Sequence, residues 1–292
     1  MINQMDYHQA NQSSPSQNPS TTRPLSQAQV DQYHEEGFVI VSGFFDPEEV
    51  EPIRKACEAD PEIKGSQVAV TDSHGHAYKA AIWSELGNSL LGIIPRLARM
   101  VEAAERLKGE EVYHWYSKIV KKPANDVAHI EWHQDFHGAY LDGCLFPLLS
   151  PCGISVTHTN KENGCFQVIP KSHLMGRLDH VPVGDNLGIS PTRMEAILQR
   201  MEVVDCMTEP GDAIFFHPNA LHCSAPNKTD QPRIFMFCHH NAASNTPFRV
   251  AGHPYRPYQK LEKLPDSVIK NGLYDSVFDT QKFESWDWYR EA

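Results

Sequence analysis

The chain predicts an α+β fold: a double-stranded β-helix, that is a jelly-roll or cupin-like β-sandwich core, with a flanking N-terminal helical layer. Three observations predict it. Helix start and stop signals crowd residues 24 to about 108, whereas beyond Glu110 the character changes to short apolar runs separated by turns. Seven such runs suit two packed antiparallel sheets. Two of the regions, around His133 and His222, lie almost ninety residues apart yet carry side chains suited to one shared site, and the mouth of a double-sheet barrel is where such a site can be held.

Residues 1–23 are mostly Gln, Asn, Ser, Pro and Thr with almost nothing to bury, so a disordered tail is expected, followed by one domain over 24–292. Ser26 and Gln29 have capping-box spacing and open a helix carrying Val30, Tyr33 and His34, which Gly37 should end. Phe38-Val39-Ile40-Val41 reads as a strand. Asp46-Pro47-Glu48-Glu49 repeats the cap signal with proline at the first helical position, giving a second helix to about Ala59. A third helix, from Asn88 or Pro95 through Leu107, should end at Lys108-Gly109. The β-type runs are 112–120, 128–135, 153–159, 165–169, 202–208, 213–217 and 233–240, with one further helix over 192–201 and no internal repeat.

At 292 residues the chain can bury a full core. A net charge of -11 without a long basic run argues against nucleic acid and anionic membrane surfaces, and no apolar stretch is long enough to cross a bilayer. The expected partner is a small-molecule substrate held inside; nothing in the sequence sets an oligomeric state. The first residues lack the charged start and apolar centre of a signal peptide, so a cytoplasmic location is expected. The seven cysteines include no C-x-x-C pair and read as reduced, mostly buried side chains.

In an extended strand His133 and Asp135 point the same way, and a neighbouring strand could supply His222. Two imidazoles and one carboxylate on one face of an octahedral ion leave three positions open, which suits non-haem Fe(II). The rival is a zinc site. His129, His133 and His137 would form one stripe on a helix, and a zinc-dependent hydrolase could use them. Against it, Glu131 stands two residues after His129 instead of directly after it, and Pro123, Gly138 and Asp142-Gly143 argue against a helix. A non-catalytic jelly-roll binding protein is the third reading.

Arg233 opens an aromatic strand, where a guanidinium is costly unless an anion meets it; a dicarboxylate cosubstrate would do so, as would a structural Asp or Glu. Lys118 could reach a carboxylate from its own strand or snorkel to the surface. Phe136, Tyr140 and the Trp286-Asp287-Trp288-Tyr289 tail could cover a substrate or simply pack. His158, His173 and His217 read as hydrogen-bonded strand or turn residues, and Cys223 as core.

Taken in order, His133-Gln134-Asp135, Asn163-Gly164-Cys165-Phe166-Gln167-Val168-Ile169-Pro170-Lys171-Ser172-His173, Pro210-Gly211-Asp212-Ala213-Ile214-Phe215-Phe216-His217, and His222 with Ser224 and Arg233 resemble the phytanoyl-CoA dioxygenase family. The match runs from about Leu25 to Pro247. The resemblance implies a jelly-roll oxygenase with Fe(II) held by His133, Asp135 and His222, and 2-oxoglutarate as cosubstrate with its distal carboxylate on Arg233 and Ser224. The segment His114-Trp115-Tyr116-Ser117-Lys118 resembles the family strand that lines the pocket, which brings Lys118 toward the cosubstrate and Tyr116, with Phe136 and Tyr140, toward the substrate. The implied reaction is hydroxylation by O2 of a C–H bond in a small polar metabolite (an amino-acid derivative, osmolyte or organophosphonate), releasing succinate and CO2. Asp135 disfavours halogenation, since a halide needs the carboxylate's place.

Three positions depart from the pattern. Lys171 stands where a glycine is usual before Ser-His. Phe136 is followed by His137-Gly138-Ala139-Tyr140, where ectoine-hydroxylase-like members carry an aromatic pair after the H-x-D. Tyr116 stands where those members often place an amide or a histidine. Substrate identity is therefore not carried over.

Overall fold

The computed structural model describes residues 24–284; the tail expected over 1–23 and the aromatic segment 286–289 lie outside the described residues. Helix α1, Gln27–Glu36, starts on the predicted box, with Ser26 accepting from the Gln29 backbone and the Gln29 side chain accepting from Ser26 N at 2.8 Å. Gly37 ends it at φ +83°, the left-handed region glycine enters freely. Strand β1 is Phe38–Val41, and α2 is Pro47–Ala59 on an Asp46–Glu49 box.

Next comes a hairpin absent from the expected elements, β2 (Val68–Thr71) and β3 (Ala77–Trp83). Its turn is built by Asp72, whose carboxylate takes the backbone N–H groups of His74 and His76 at 2.9 and 2.8 Å. The third helix expected as one piece is split into α3 (Leu90–Ile93), a 3-10 turn (Ile94–Arg96) and α4 (Ala98–Lys108), because Leu97 leaves the helical region at ψ 140°. The remaining elements are β4 (Val112–Lys122), β5 (Ile130–His133), α5 (Asp135–Leu141), β6 (Leu149–Ser155), β7 (Phe166–Val168), a hairpin of β8 (His180–Val183) and β9 (Asn186–Ile189), α6 (Pro191–Leu198), β10 (Val204–Cys206), β11 (Ala213–Phe216), β12 (His222–Ser224) and β13 (Arg233–Ala242).

Two expectations need correction here. The strand around His133 stops before Asp135, and the chain holds a helix, α5, besides the one expected over 192–201. Gln134 is still extended (φ -120°, ψ 127°), and Asp135 then opens a helix whose first turn favours a carboxylate. Gly138 is tolerated in this single short element, which Gly143 terminates at φ +100°. At Lys171, where a glycine is usual in the family pattern, the backbone is left-handed (φ 61°), so the turn keeps the conformation with a side chain that disfavours it.

The strands form a seven-stranded sheet ordered β1-β11-β6-β13-β4-β3-β2 and a four-stranded sheet ordered β10-β7-β12-β5, antiparallel throughout. Alternation along β13 defines the layers. Ile234, Met236 and Cys238 pack with Val30 and Tyr33 of α1, Val50 and Ile53 of α2, and Met100 and Ala103 of α4. Arg233, Phe235, Phe237 and His239 face the other way, into a cavity that residues of the four-stranded sheet also line. Burying side chains of this size contributes roughly 1.5–3 kcal/mol each. The architecture is therefore α+β, with antiparallel sheets and helices whose buried residues share a core cluster. All seven cysteines are buried and free. Among the described residues no helix is long and apolar enough to cross a membrane.

Candidate active site

Strands β5 and β12 pair so that His133 and His222 are direct cross-strand partners, with ring centroids 4.1 Å apart. Each ring is oriented by its own backbone: Nδ1–H of His133 donates to the Glu131 carbonyl at 2.7 Å, and Nδ1–H of His222 to the Ala220 carbonyl at 2.9 Å. A carbonyl only accepts, so the proton of each neutral imidazole sits on Nδ1 and the Nε2 lone pair is free. Both Nε2 atoms point at Oδ1 of Asp135, 3.5 and 3.6 Å away. These three are the group of potential ligand atoms, all within 4.8 Å of one another, found among the described residues.

The electrostatics favour a cation at this point. Burial pushes His222 down to about 4, with the neighbouring His133 adding to it, so the imidazole is neutral and ready to ligate at physiological pH. Burial alone would raise Asp135, but its surroundings, His222 first and then the Lys118 ammonium, hold it well below the usual carboxylate range. Three lone-pair donors facing one another, His222 buried and His133 and Asp135 partly so, match the donor set of a two-His, one-carboxylate iron site. The phenyl rings of Phe166 and Phe216, centroids 5.1 and 4.8 Å from that of His222, wall the site with apolar surface.

At the far end of the inner face of β13, Arg233 is 1% exposed. It donates from Nη2 to Ser224 Oγ at 3.1 Å, its Nε has no partner, and among the described residues no carboxylate lies within ion-pair distance. Burial lowers its pKa to about 10, which leaves it charged. The structural ion pair that could have explained Arg233 is thus not formed, and a buried guanidinium without a counter-charge suits a carboxylate ligand. Lys118 lines the same cavity with Nζ 5.2 Å from the Phe237 ring centroid. Sequence reasoning missed Lys122, whose buried ammonium donates to the carbonyls of Ala128, Ser224 and Ala225 at 2.8, 3.2 and 2.5 Å. That clamp ties β4 to β12 and sets the position of Ser224; the signal for it was the even spacing Tyr116, Lys118, Val120, Lys122 along one strand face.

The remaining candidates separate. Tyr116 lines the cavity, stacked on His239 at 4.2 Å. Phe136 and Tyr140 do not. Phe136 is buried among Tyr113, Trp115, Ala139, Cys144 and Leu149, and Tyr140 is 42% exposed under the Arg177 guanidinium. The reason is the helix: in α5 they lie at i and i+4 on one face, while Asp135, Gly138 and Ala139 line the cavity. The zinc stripe is not formed either, because residues 130–133 are extended, and His137 stacks instead on His180 at 4.0 Å. His158, His173 and His217 are hydrogen-bonded to Glu209, the His34 carbonyl and the Asn219 amide. Cys223 is buried and donates to Gln167 Oε1, yet also lines the cavity. Asp142 and Arg256, an ion pair at 3.4 Å in the cavity wall, and His239 were not singled out in the sequence.

Comparison with known proteins agrees with this geometry. The family model described as phytanoyl-CoA dioxygenase matches residues 33–235. The ectoine dioxygenase of Bordetella bronchiseptica is 27% identical over 237 residues, 76% of this chain and 77% of its own. The L-proline trans-4-hydroxylase of Streptomyces griseoviridis is 27% identical over 255 residues, 82% of this chain and 92% of its own. Among solved structures, EctD from S. alaskensis with bound Fe shares the fold at a TM-score of 0.69 and 22% identity, covering 85% of this chain and 90% of that one. With a match spanning the metal-ligand candidates and the buried arginine, this chain belongs to the phytanoyl-CoA dioxygenase family.

Proposed function

We propose that this protein is an Fe(II)- and 2-oxoglutarate-dependent dioxygenase that hydroxylates a C–H bond of a small polar metabolite: an amino-acid derivative, osmolyte or organophosphonate. The observation that carries it is the convergence of two imidazole Nε2 atoms and one Asp oxygen in the cavity that also holds a buried arginine with no ion-pair partner among the described residues. The core is read as a jelly roll, with the helices of the N-terminal third as its outer layer, and 24–292 as one domain. The acidic net charge and the free, buried cysteines support an enzyme that works in the cytoplasm without nucleic-acid or membrane partners.

In this reading His133, Asp135 and His222 hold the metal. The Arg233 guanidinium, with Ser224 beside it, receives the distal carboxylate of 2-oxoglutarate, and Lys118 offers a second cation on the same wall. Iron and cosubstrate together supply the oxidation of the C–H bond by O2, with succinate and CO2 as co-products. The chain supplies orientation and dryness. Apolar Ala80, Ile82, Ile130, Leu149 and Leu187 line the cavity that must exclude water, and Tyr116 forms the wall next to the metal ligands. The names of the relatives, an ectoine dioxygenase and a proline hydroxylase, support a small polar substrate, while Tyr116 and the displaced Phe136 and Tyr140 argue for one that differs from ectoine.

The test is a panel of small polar metabolites incubated with the protein, Fe(II), 2-oxoglutarate and air, read by mass spectrometry. One member should gain one oxygen with an equal amount of succinate, and lose both under anoxia. Turnover that persists without O2 would instead indicate the zinc hydrolase.

A further inference from the structure

Asp135 has two carboxylate oxygens, and the structure treats them differently. Oδ1 faces both histidine Nε2 atoms at 3.5 and 3.6 Å, whereas Oδ2 lies 3.1 Å from Nε2 of His239. An ionised carboxylate only accepts, so the proton between them belongs to His239. Among the described residues His239 is the one hydrogen-bond donor to Oδ2. The Tyr116 hydroxyl, 3.4 Å from the same nitrogen, is a longer neighbour without the carboxylate's charge.

His239 is built to hold that position. It comes from β13, the strand that also carries Arg233, and its ring is fully buried. It is the Cα partner of Tyr116 on β4 and of Pro151 on β6, and stacks on the Tyr116 ring at 4.2 Å with 19° between planes. The register shifts immediately after it, between His239 and His240. His240 turns to the opposite side, where its Nε2–H donates to the Pro95 carbonyl at 2.8 Å. The extra residue at that shift is Trp115 on β4, while β13 stays in register with β6, so His239 simply continues the inward face of Arg233, Phe235 and Phe237.

We propose that His239 is a positioning residue: by donating Nε2–H to Oδ2 it reserves Oδ1 for the metal and keeps Asp135 a one-oxygen ligand. The consequence is chemical. A carboxylate bound through both oxygens would take a fourth coordination position and leave two, too few for a chelating 2-oxo acid and O2 together. Bound through one oxygen it leaves three. The inference rests on the metal-site reading proposed above and adds to it the group that fixes the ligand's binding mode.

Two variants separate the hydrogen bond from the stacked ring. His239→Gln keeps an N–H donor at similar reach without a ring; His239→Phe keeps a ring against Tyr116 without a donor. Wild type and variants, purified metal-free, are titrated anaerobically with Fe(II) or Mn(II) by calorimetry and then, metal-loaded, with 2-oxoglutarate. His239→Phe should weaken metal binding roughly 10- to 100-fold, the usual effect of removing a ligand's hydrogen-bond partner, and weaken 2-oxoglutarate binding to the loaded protein; His239→Gln should stay near wild type in both. If the Phe variant does not fold, His239→Leu, smaller and also without a donor, takes its place. Donor-free variants that bind like wild type, or a Gln variant that loses as much as Phe, overturn the assignment. A wild-type protein that binds neither metal overturns the site reading as well, so the two failures are distinguishable.

Discussion

At Arg233 a guanidinium is buried against Phe235, and among the described residues Ser224 is its one hydrogen-bonded partner and Nε has none. Among the described residues no carboxylate pairs with the guanidinium, Asp126 acting on it only at a distance, so the group is poised for an anion instead of stabilising the fold. A hydrogen bond to a charged group is worth about 1.5–3 kcal/mol. Arg233→Gln should therefore raise the 2-oxoglutarate KM about 10- to 150-fold, at about 1.4 kcal/mol per decade, without lowering the melting temperature of the ligand-free protein. Steady-state kinetics and a thermal melt on that one variant check both; a lower melting temperature with unchanged KM would mark a structural arginine. The residues of this site that sequence revealed are those whose chemistry is unusual for their surroundings: an arginine opening an aromatic strand, and a histidine two from an aspartate. The roles of His239 and Lys122 were not legible, because they depend on partners brought in from elsewhere in the chain, Asp135 for the first and the Ala128 and Ser224 carbonyls for the second. Of the two roles open to Phe136 and Tyr140, covering a substrate or packing, neither residue lines the cavity, because helix α5 carries them on a face of its own.

The elements divide by how local their causes are. α1 and α2 were legible from their caps, since a capping box is a bond between residues three apart. The β2–β3 hairpin was not, although Asp72 and Gly75 mark its turn, because it lies between helices and gains its strand character by pairing with β4. α5 was hidden by Gly138 and by the extended residues before it. What holds α5 at the site is Gln134. Its amide donates to the carbonyls of Gly176 and Asn219 at 2.8 and 2.7 Å, and its oxygen accepts from Leu178 N at 2.7 Å. Replacing it by leucine leaves three backbone groups without these partners, at about 1–3 kcal/mol for each buried group unsatisfied. Gln134→Leu should thus lose at least about 2 kcal/mol in denaturant-induced unfolding and weaken metal binding by shifting Asp135. A variant as stable as wild type would show that the loops reach water instead.

For the molecule as a whole, the two sheets place Arg233 and the metal-ligand candidates on the walls of one cavity, so ligand binding should stabilise the entire fold. With Fe(II) present and O2 excluded, 2-oxoglutarate at about 100 times its Kd should add about 2.7 kcal/mol. In Arg233→Gln at the same concentration the gain should fall below about 1.5 kcal/mol, by the same relation. Differential scanning calorimetry reads both, and equal gains in the two proteins would place the cosubstrate away from Arg233. The α+β character was legible at this scale because the change from capped helices to short β-runs at Glu110 spans most of the chain. The pairing order of the strands was not, since register is set by which faces must be buried together.

The most direct test of an iron and 2-oxoglutarate dioxygenase at this site follows the oxygen atoms. Oxidative decarboxylation places one atom of O2 in the new carboxylate of succinate and the other in the product. Succinate made under 18O2 in the presence of Fe(II) should carry one heavy oxygen, by mass spectrometry, even during slow turnover before the substrate is known. Asp135→Ala, which removes one ligand from a cavity wall and leaves the fold in place, should abolish that succinate. Unlabelled succinate, or labelled succinate formed as fast by Asp135→Ala as by wild type, would contradict the assignment of His133, Asp135 and His222 as the centre where O2 is used.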